Sequence, residues 1–302
     1  MSKAKAVLRR IPGAIAFRRF LGHGEHAMTL RFARRENILF TEFRRVPTQL
    51  AVLAGPVLEF LRADVDGRAD RTDRLRVVLF GCSIGAEPYS IAAALRERSP
   101  ALRLDMECFD IEPRVVARAS AARYTVDEVT RMRHVTPEFI EQTFDRVDSD
   151  FVVKPAVAAG VRCSVGNVLD RKLVDSLAPA DVVIAQNFLF HLSRADAARA
   201  FDHLKSLLAP RSALVIDGMD LDLRTRLTSA AGLEPCAAEL ERIHSESRLE
   251  RGYAWPRVYW GLEPFNARRA DAARRYSTIF FRGALAPSLP VAAPLSRAAR
   301  AG

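Results

Sequence analysis

Five apolar runs, each about one strand long, punctuate the chain at Leu75–Phe80, Leu104–Asp110, Val161–Val165, Asp181–Gln186 and Ala213–Asp217. Between and after them the pattern changes to that of helices, at Ser90–Arg98, Pro113–Ala122, Arg194–Leu208 and Leu223–Ala231. Strand and helix signals alternating in this way predict βαβ units and a doubly wound α/β sheet. Two further β-rich runs, Val258–Leu262 and Ser277–Phe281, bring the expected strands to seven, with the last two as a hairpin-like edge.

Residues 123–160 interrupt the alternation with a helical piece, Glu138–Phe144, and a short strand, Phe151–Lys154, and read as a small inserted β subdomain. Residues 1–40 interleave apolar residues with arginines and are expected to form a short basic helical segment. That segment has no long apolar core followed by a cleavage site, so it does not read as a secretory signal. Residues 284–302 are rich in Ala, Pro, Ser and Arg without periodicity and read as a disordered tail. Residues 41–283 then form the main domain.

Composition changes the picture in two places. The four cysteines, Cys82, Cys108, Cys163 and Cys236, are scattered along the chain, with no C-x-x-C pair. This speaks against a disulfide framework or a metal site and for a reducing, cytoplasmic compartment. The apolar runs also fall far short of the roughly 20 residues a membrane span needs. The net charge of +10 is unevenly placed: residues 1–45 hold eleven Lys/Arg against three Glu, and residues 265–302 seven Arg against Asp271. The body between is net −4, so an acidic partner is expected at the ends, or else a solvated surface in a chain with 41 Arg against 5 Lys.

The candidate chemistry follows the first strand. Gly81-Cys-Ser-Ile-Gly85 joins it to the next helix, an arrangement that brings bare backbone and a helix N-terminus to a ligand. The second strand ends in Asp110, about 25 residues beyond Gly85, where a ribose-binding acid belongs. The two glycines are neither a G-x-G-x-x-G nor a P-loop, since no Lys-Ser/Thr follows. A nucleoside cofactor held at the carboxyl ends of the strands is the expectation.

The stretch Cys82-Ser-Ile-Gly-Ala-Glu-Pro-Tyr-Ser90 resembles the C-S-T-G-E-E-P-Y-S signature of CheR-type S-adenosylmethionine-dependent methyltransferases, which esterify glutamates of chemotaxis receptors. Thr41-Glu-Phe-Arg-Arg45 is similar to the family's T-x-F-F-R, Phe109–Glu112 to its T-D-I-D, and Gly166–Leu169 to its N-L-L. Asp181–His191 is similar to its F-D-x-I-x-C-R-N-x-x-I-Y. Five matches stand in order over residues 41–218.

The resemblance implies a seven-stranded Rossmann-like methyltransferase sheet and S-adenosylmethionine as cofactor. It implies a cofactor pocket of Thr41, Gly81, Ser83, Gly85, Glu87, Asp110, Ile111, Asn167, Val168, Gln186 and Asn187. In it, Asp110 suits the two ribose hydroxyls and Glu87 the methionine ammonium. Asn167 and Val168 address the adenine, and Gln186 and Asn187 line the methionine end. Arg45 is the cation expected to hold an acceptor carboxylate.

Departures from the family pattern cluster on the acceptor side, at Leu39, Arg44, Ile84, Ala86, Gln186 and His191. His191, in place of a tyrosine, would supply a general base for an amine, phenol or hydroxyl acceptor, which a carboxylate does not need. A carboxylate on a protein is the first expected acceptor and a small metabolite the second. A non-catalytic cofactor-binding regulator is the third reading. Nucleic acid is disfavoured, because Asn187 is followed by Phe-Leu-Phe where amino-methylating enzymes carry Pro-Pro-Tyr.

Overall fold

The computed structural model describes residues 41–63, 74–250 and 263–283, with side chains undescribed at 248–250. The basic segment 1–40, the tail 284–302 and the expected strand Val258–Leu262 lie outside the described residues. Seven strands build the main sheet: β1 Arg74–Phe80, β2 Arg103–Asp110, β6 Val161–Val165, β7 Ala180–Ala185, β8 Leu208–Ile216, β9 Glu234–Pro235 and β10 Ile279–Arg282. They stand in the order β6-β2-β1-β7-β8-β10-β9. The ladders from β6 to β8 are parallel, and β10 runs antiparallel to both its neighbours. The seventh described strand is therefore the two-residue Glu234–Pro235, a segment too short to leave a periodic signal in the sequence.

Alternation along each strand splits the core into two layers. Val77 and Leu79 point to one side, with Ile91 and Leu95 of the helix Ala86–Arg98. Val78 and Phe80 point to the other, where they meet Phe201 and Leu204 of Arg194–Ser206. Strands buried on both faces read as continuous apolar runs, which is why the sequence exposes them so clearly. At the end of the sheet away from the glycine turn, Asp105 of β2 takes Arg74 at 2.7 Å, Arg76 at 3.0 Å and Arg162 at 2.5 Å, crossing three adjacent strands.

A second sheet, of order β3-β5-β4, is made by Arg123–Thr125, Asp150–Val153 and Phe144–Val147 and forms the inserted β subdomain. Its core is continuous with that of the main sheet through Phe43, whose ring meets Tyr124 at 5.0 Å and Phe144 at 5.2 Å. The helical stretch Pro47–Arg62, with a π turn at Leu53–Val57, follows Phe43 and packs on the same layer. Its Val-Leu-Ala-Gly-Pro-Val interior hides helical periodicity, and no expectation anticipated it. No described helix is long and apolar enough to cross a membrane.

Candidate functional site

The sheet order reverses between β1 and β7, and the residues singled out by sequence gather at the carboxyl ends of the strands flanking that point. The turn after β1 is held flat against β2: the Gly81 and Cys82 N–H groups donate to the Phe109 carbonyl at 2.7 and 3.1 Å. Gly81 and Gly85 take φ of 84° and 93°, a region open to glycine. A Cβ on Gly81 would come within 2.6 Å of the Phe188 ring, and one on Gly85 within 2.8 Å of Tyr124 Oη and 3.1 Å of the Ala119 backbone. Gly85 thus serves close packing of helix on subdomain as much as any ligand.

Between the glycines Ser83 also holds left-handed backbone, φ 48°, and so does Asn187 after β7, φ 58°. Such non-glycine residues each cost on the order of 1–3 kcal/mol and concentrate at functional sites. The Ser83 N–H donates to Asp110 Oδ2 at 2.8 Å, and Glu112 N–H to Asp110 Oδ1 at 3.1 Å. Each carboxylate oxygen keeps a further lone pair toward the cleft. The Gly166 N–H donates to the Asp110 carbonyl at 2.9 Å, so β6 delivers Asn167 beside it. There the Asn167 Oδ1 is taken by the Leu169 N–H at 2.9 Å, which shapes the turn. The Val168 side chain is buried in the core, and its carbonyl lies 2.7 Å from His203 Nδ1.

Glu87, in the first turn of the helix Ala86–Arg98, accepts from Gln186 Nε2 at 2.9 Å, joining the ends of β1 and β7. Burial pushes its carboxyl up to about 7; the Arg45 guanidinium and the Gln186 hydrogen bond pull it down, and Asp217 pushes it up again. Arg45 is aimed there by its neighbours. Phe43 is fully buried, and Arg44 is left-handed at φ 54° with its N–H on Ser90 Oγ at 2.9 Å and its guanidinium 5.4 Å from the Phe139 ring. The structure therefore brings Arg45 to Glu87, the residue expected at the methionine end. Thr41 is half-buried at the start of the described chain. His191 closes a short 3₁₀ turn, its N–H on the Phe188 carbonyl at 2.9 Å and its ring 4.2 Å from that of Phe190.

Sequence reasoning passed over Asp217 as a site residue. It directly follows β8 much as Asp110 closes β2, and that similar position was the available signal. Its carbonyl accepts from the Asn187 N–H at 3.3 Å, and its carboxylate pairs with the buried Arg224 at 3.0 Å.

The CheR methyltransferase S-adenosylmethionine-binding domain model matches residues 39–223, more than half of the chain. The chain belongs to the CheR methyltransferase family. Its domain is similar to the probable biofilm formation methyltransferase WspC of Pseudomonas aeruginosa, 30% identical over 77% of this chain and 53% of that relative. It is also similar to chemotaxis protein methyltransferase 2 of Vibrio cholerae, 26% identical over 63% of this chain and 65% of that one. The chain thus spans about half the length of WspC. Among solved structures, it is similar to the N-methyltransferase NodS of Bradyrhizobium japonicum in complex with S-adenosyl-L-homocysteine, with a TM-score of 0.36 at 13% identity over 71% of this chain and 87% of that one.

The CheR domain's residues suit its cofactor, S-adenosylmethionine. Among the described residues Ser83 Oγ is buried in the glycine turn with no hydrogen-bond partner, an orphaned polar atom where a polar ligand would satisfy it. Ile111 is 57% exposed directly after Asp110, and Val165, the β6 register partner of Asp110, is 54% exposed, leaving apolar surface for a purine beside a ribose-binding acid.

Proposed function

We propose that this CheR domain transfers a methyl group from S-adenosylmethionine to a carboxylate on a protein, forming a methyl ester. Asp110 takes the ribose hydroxyls, Ser83 and the Gly81–Gly85 turn the backbone side of the cofactor, and Ile111, Asn167 and Val168 the adenine. Glu87, with Gln186 and Asn187, holds the methionine ammonium, and Thr41 borders the same pocket. When bound, the cofactor supplies a sulfonium methyl, which needs only an aligned nucleophile and exclusion of water.

A carboxylate acceptor is anionic at neutral pH, so no proton has to move. The observation that carries this reading is Arg45, whose charge acts on the buried Glu87 at the end of the cofactor turn. An anion presented beside the methyl group meets that guanidinium. The WspC and chemotaxis relatives are named for biofilm formation and chemotaxis, which supports a signalling protein as acceptor.

The test is transfer of labelled methyl from S-adenosylmethionine into the proteins of the host's extract. Label on protein that alkali releases as methanol is the expected result. Alkali-stable label would overturn the ester, and His191→Phe would then ask whether the imidazole serves as base.

The raised Glu87 carboxyl carries a pH prediction. The ammonium requires the carboxylate, whereas below about 7 the carboxyl holds a proton. Cofactor affinity should therefore fall about tenfold for each pH unit below 7 and level off above it. In the apo protein the same shift stabilises the fold in acid, fully below the ordinary value of 4.5, and that stabilisation is lost as pH rises through about 7. Calorimetric titration from pH 5.5 to 8.5 checks it. Glu87→Gln should bind more weakly at pH 8 and show a flat profile. A wild-type profile equally flat would remove Glu87 from the ammonium site.

A further inference from the structure

Methyl transfer as proposed above makes no use of His203. It lies on the helix Arg194–Ser206, which leads into β8 and buries Phe201 and Leu204 in the core layer that also holds Val168. His203 itself is half-buried, and its Nδ1 stands 2.7 Å from the Val168 carbonyl, 35 residues back in the chain. A carbonyl only accepts, so Nδ1 carries the proton there, in the neutral ring and the charged ring alike.

That bond reaches further than Val168. The peptide joining Val168 to Leu169 is held at both ends, its carbonyl by His203 and its N–H, at 2.9 Å, by Asn167 Oδ1. An N–H only donates, so it must meet the oxygen of the Asn167 amide, and Nδ2 remains as that amide's donor. The rest of the loop is pinned as well. Gly166 N–H donates to the Asp110 carbonyl and Asp170 N–H to the Asn167 carbonyl, both at 2.9 Å. A Cβ on Gly166 would come within 2.7 Å of the Phe109 ring and of the Leu173 side chain, so the loop sits tight on the sheet.

We infer that His203 is a positioning residue that sets the purine specificity of the cofactor site. By holding the Val168–Leu169 peptide it fixes the Asn167 amide so that Nδ2 donates to N1 of adenine. That nitrogen is a bare acceptor in adenine. In hypoxanthine it carries a hydrogen and would meet Nδ2 donor to donor. A donor covered by the base without an acceptor costs more than a made bond contributes, so one amide's orientation tells the two bases apart. Without His203 the peptide is free to turn over and the Asn167 amide to follow it. The amide oxygen then accepts from the hypoxanthine N1–H. The inference rests on the placement of adenine at Asn167 proposed above.

The experiment is titration calorimetry of the full chain with S-adenosylhomocysteine and S-inosylhomocysteine, which differ only in the base. Wild type should prefer the adenosyl ligand by about tenfold or more. His203→Leu and His203→Ala, both without a donor, should bind it about fivefold more weakly and lose most of the preference. His203→Asn, whose Nδ2 can stand where the imidazole Nδ1 stands, should keep the preference. A merely structural histidine would weaken both ligands alike and leave their ratio unchanged, and circular dichroism verifies each fold. No preference in wild type, a preference kept by the donorless variants, or one lost in His203→Asn would each overturn the inference. Asn167→Ala separates the two readings. A preference kept by Asn167→Ala would overturn the adenine placement and the inference with it. One lost there but kept without the histidine donor would overturn the inference alone.

Discussion

Arg224→Ala is expected to destabilise the protein by about 3–5 kcal/mol, the range for removing one partner of a buried ion pair. Arg224 is 1% and Asp217 5% exposed, and the guanidinium reaches Asp217 Oδ1 at 3.0 Å. The same side chain donates to the Ile216 carbonyl at 3.2 Å and the Arg275 carbonyl at 2.9 Å, tying the end of β8 to the segment before β10. Alanine removes these donors and strands a carboxylate that still cannot reach bulk water. Melting should fall by about 6–20 °C.

The pair also faces the cofactor site, because Asp217 already raises the Glu87 carboxyl. With Arg224 gone, the charge of Asp217 acts on Glu87 without its partner, and the inflection in cofactor affinity should move above pH 7. The double variant Arg224→Met, Asp217→Asn should recover much of the lost stability, since neutral, packed replacements remove the uncompensated charge. Thermal denaturation of the three proteins decides it. A single variant that melts within about 2 °C of wild type would show that water reaches Asp217.

Asp110→Ala is expected to weaken S-adenosylmethionine binding by about 100- to 20,000-fold. Charge-assisted hydrogen bonds contribute about 1.5–3 kcal/mol each, and two ribose hydroxyls are served by this one carboxylate. At about 1.4 kcal/mol per tenfold, two such bonds fall in that range. The alanine also releases the Ser83 and Glu112 N–H groups, at 2.8 and 3.1 Å, that hold the left-handed turn. Asp110→Asn, which keeps one acceptor oxygen and the shape, should lose less. Titration calorimetry measures both, with circular dichroism to verify the fold. Binding of Asp110→Ala within threefold of wild type would place the ribose elsewhere.

Much of this site was legible because it depends on local signals. A strand buried on both faces reads as an apolar run, a left-handed turn demands glycine at Gly81 and Gly85, and an acid ending the second strand needs only counting. The helical segment Pro47–Arg62 and the two-residue strand Glu234–Pro235 were not legible. The first has an apolar interior without helical period, and the second is too short to have one. The influence of Arg45 on Glu87 was equally hidden, because it depends on Phe43 anchoring its segment to the inserted subdomain rather than on any spacing.

The cysteines divide the two kinds of information most sharply. As a sequence they are scattered, and spacing alone spoke against a disulfide framework or a metal site. Parallel strands pair residues that lie far apart in the chain, so β2 and β6 set Cys108 opposite Cys163. By itself the sequence determined six strands of the sheet, the glycine turn, the acid that closes β2 and the family, because each is written in neighbouring residues. Which side chains act on one another's charge was decided only by the tertiary structure, since strand order and register bring remote residues together.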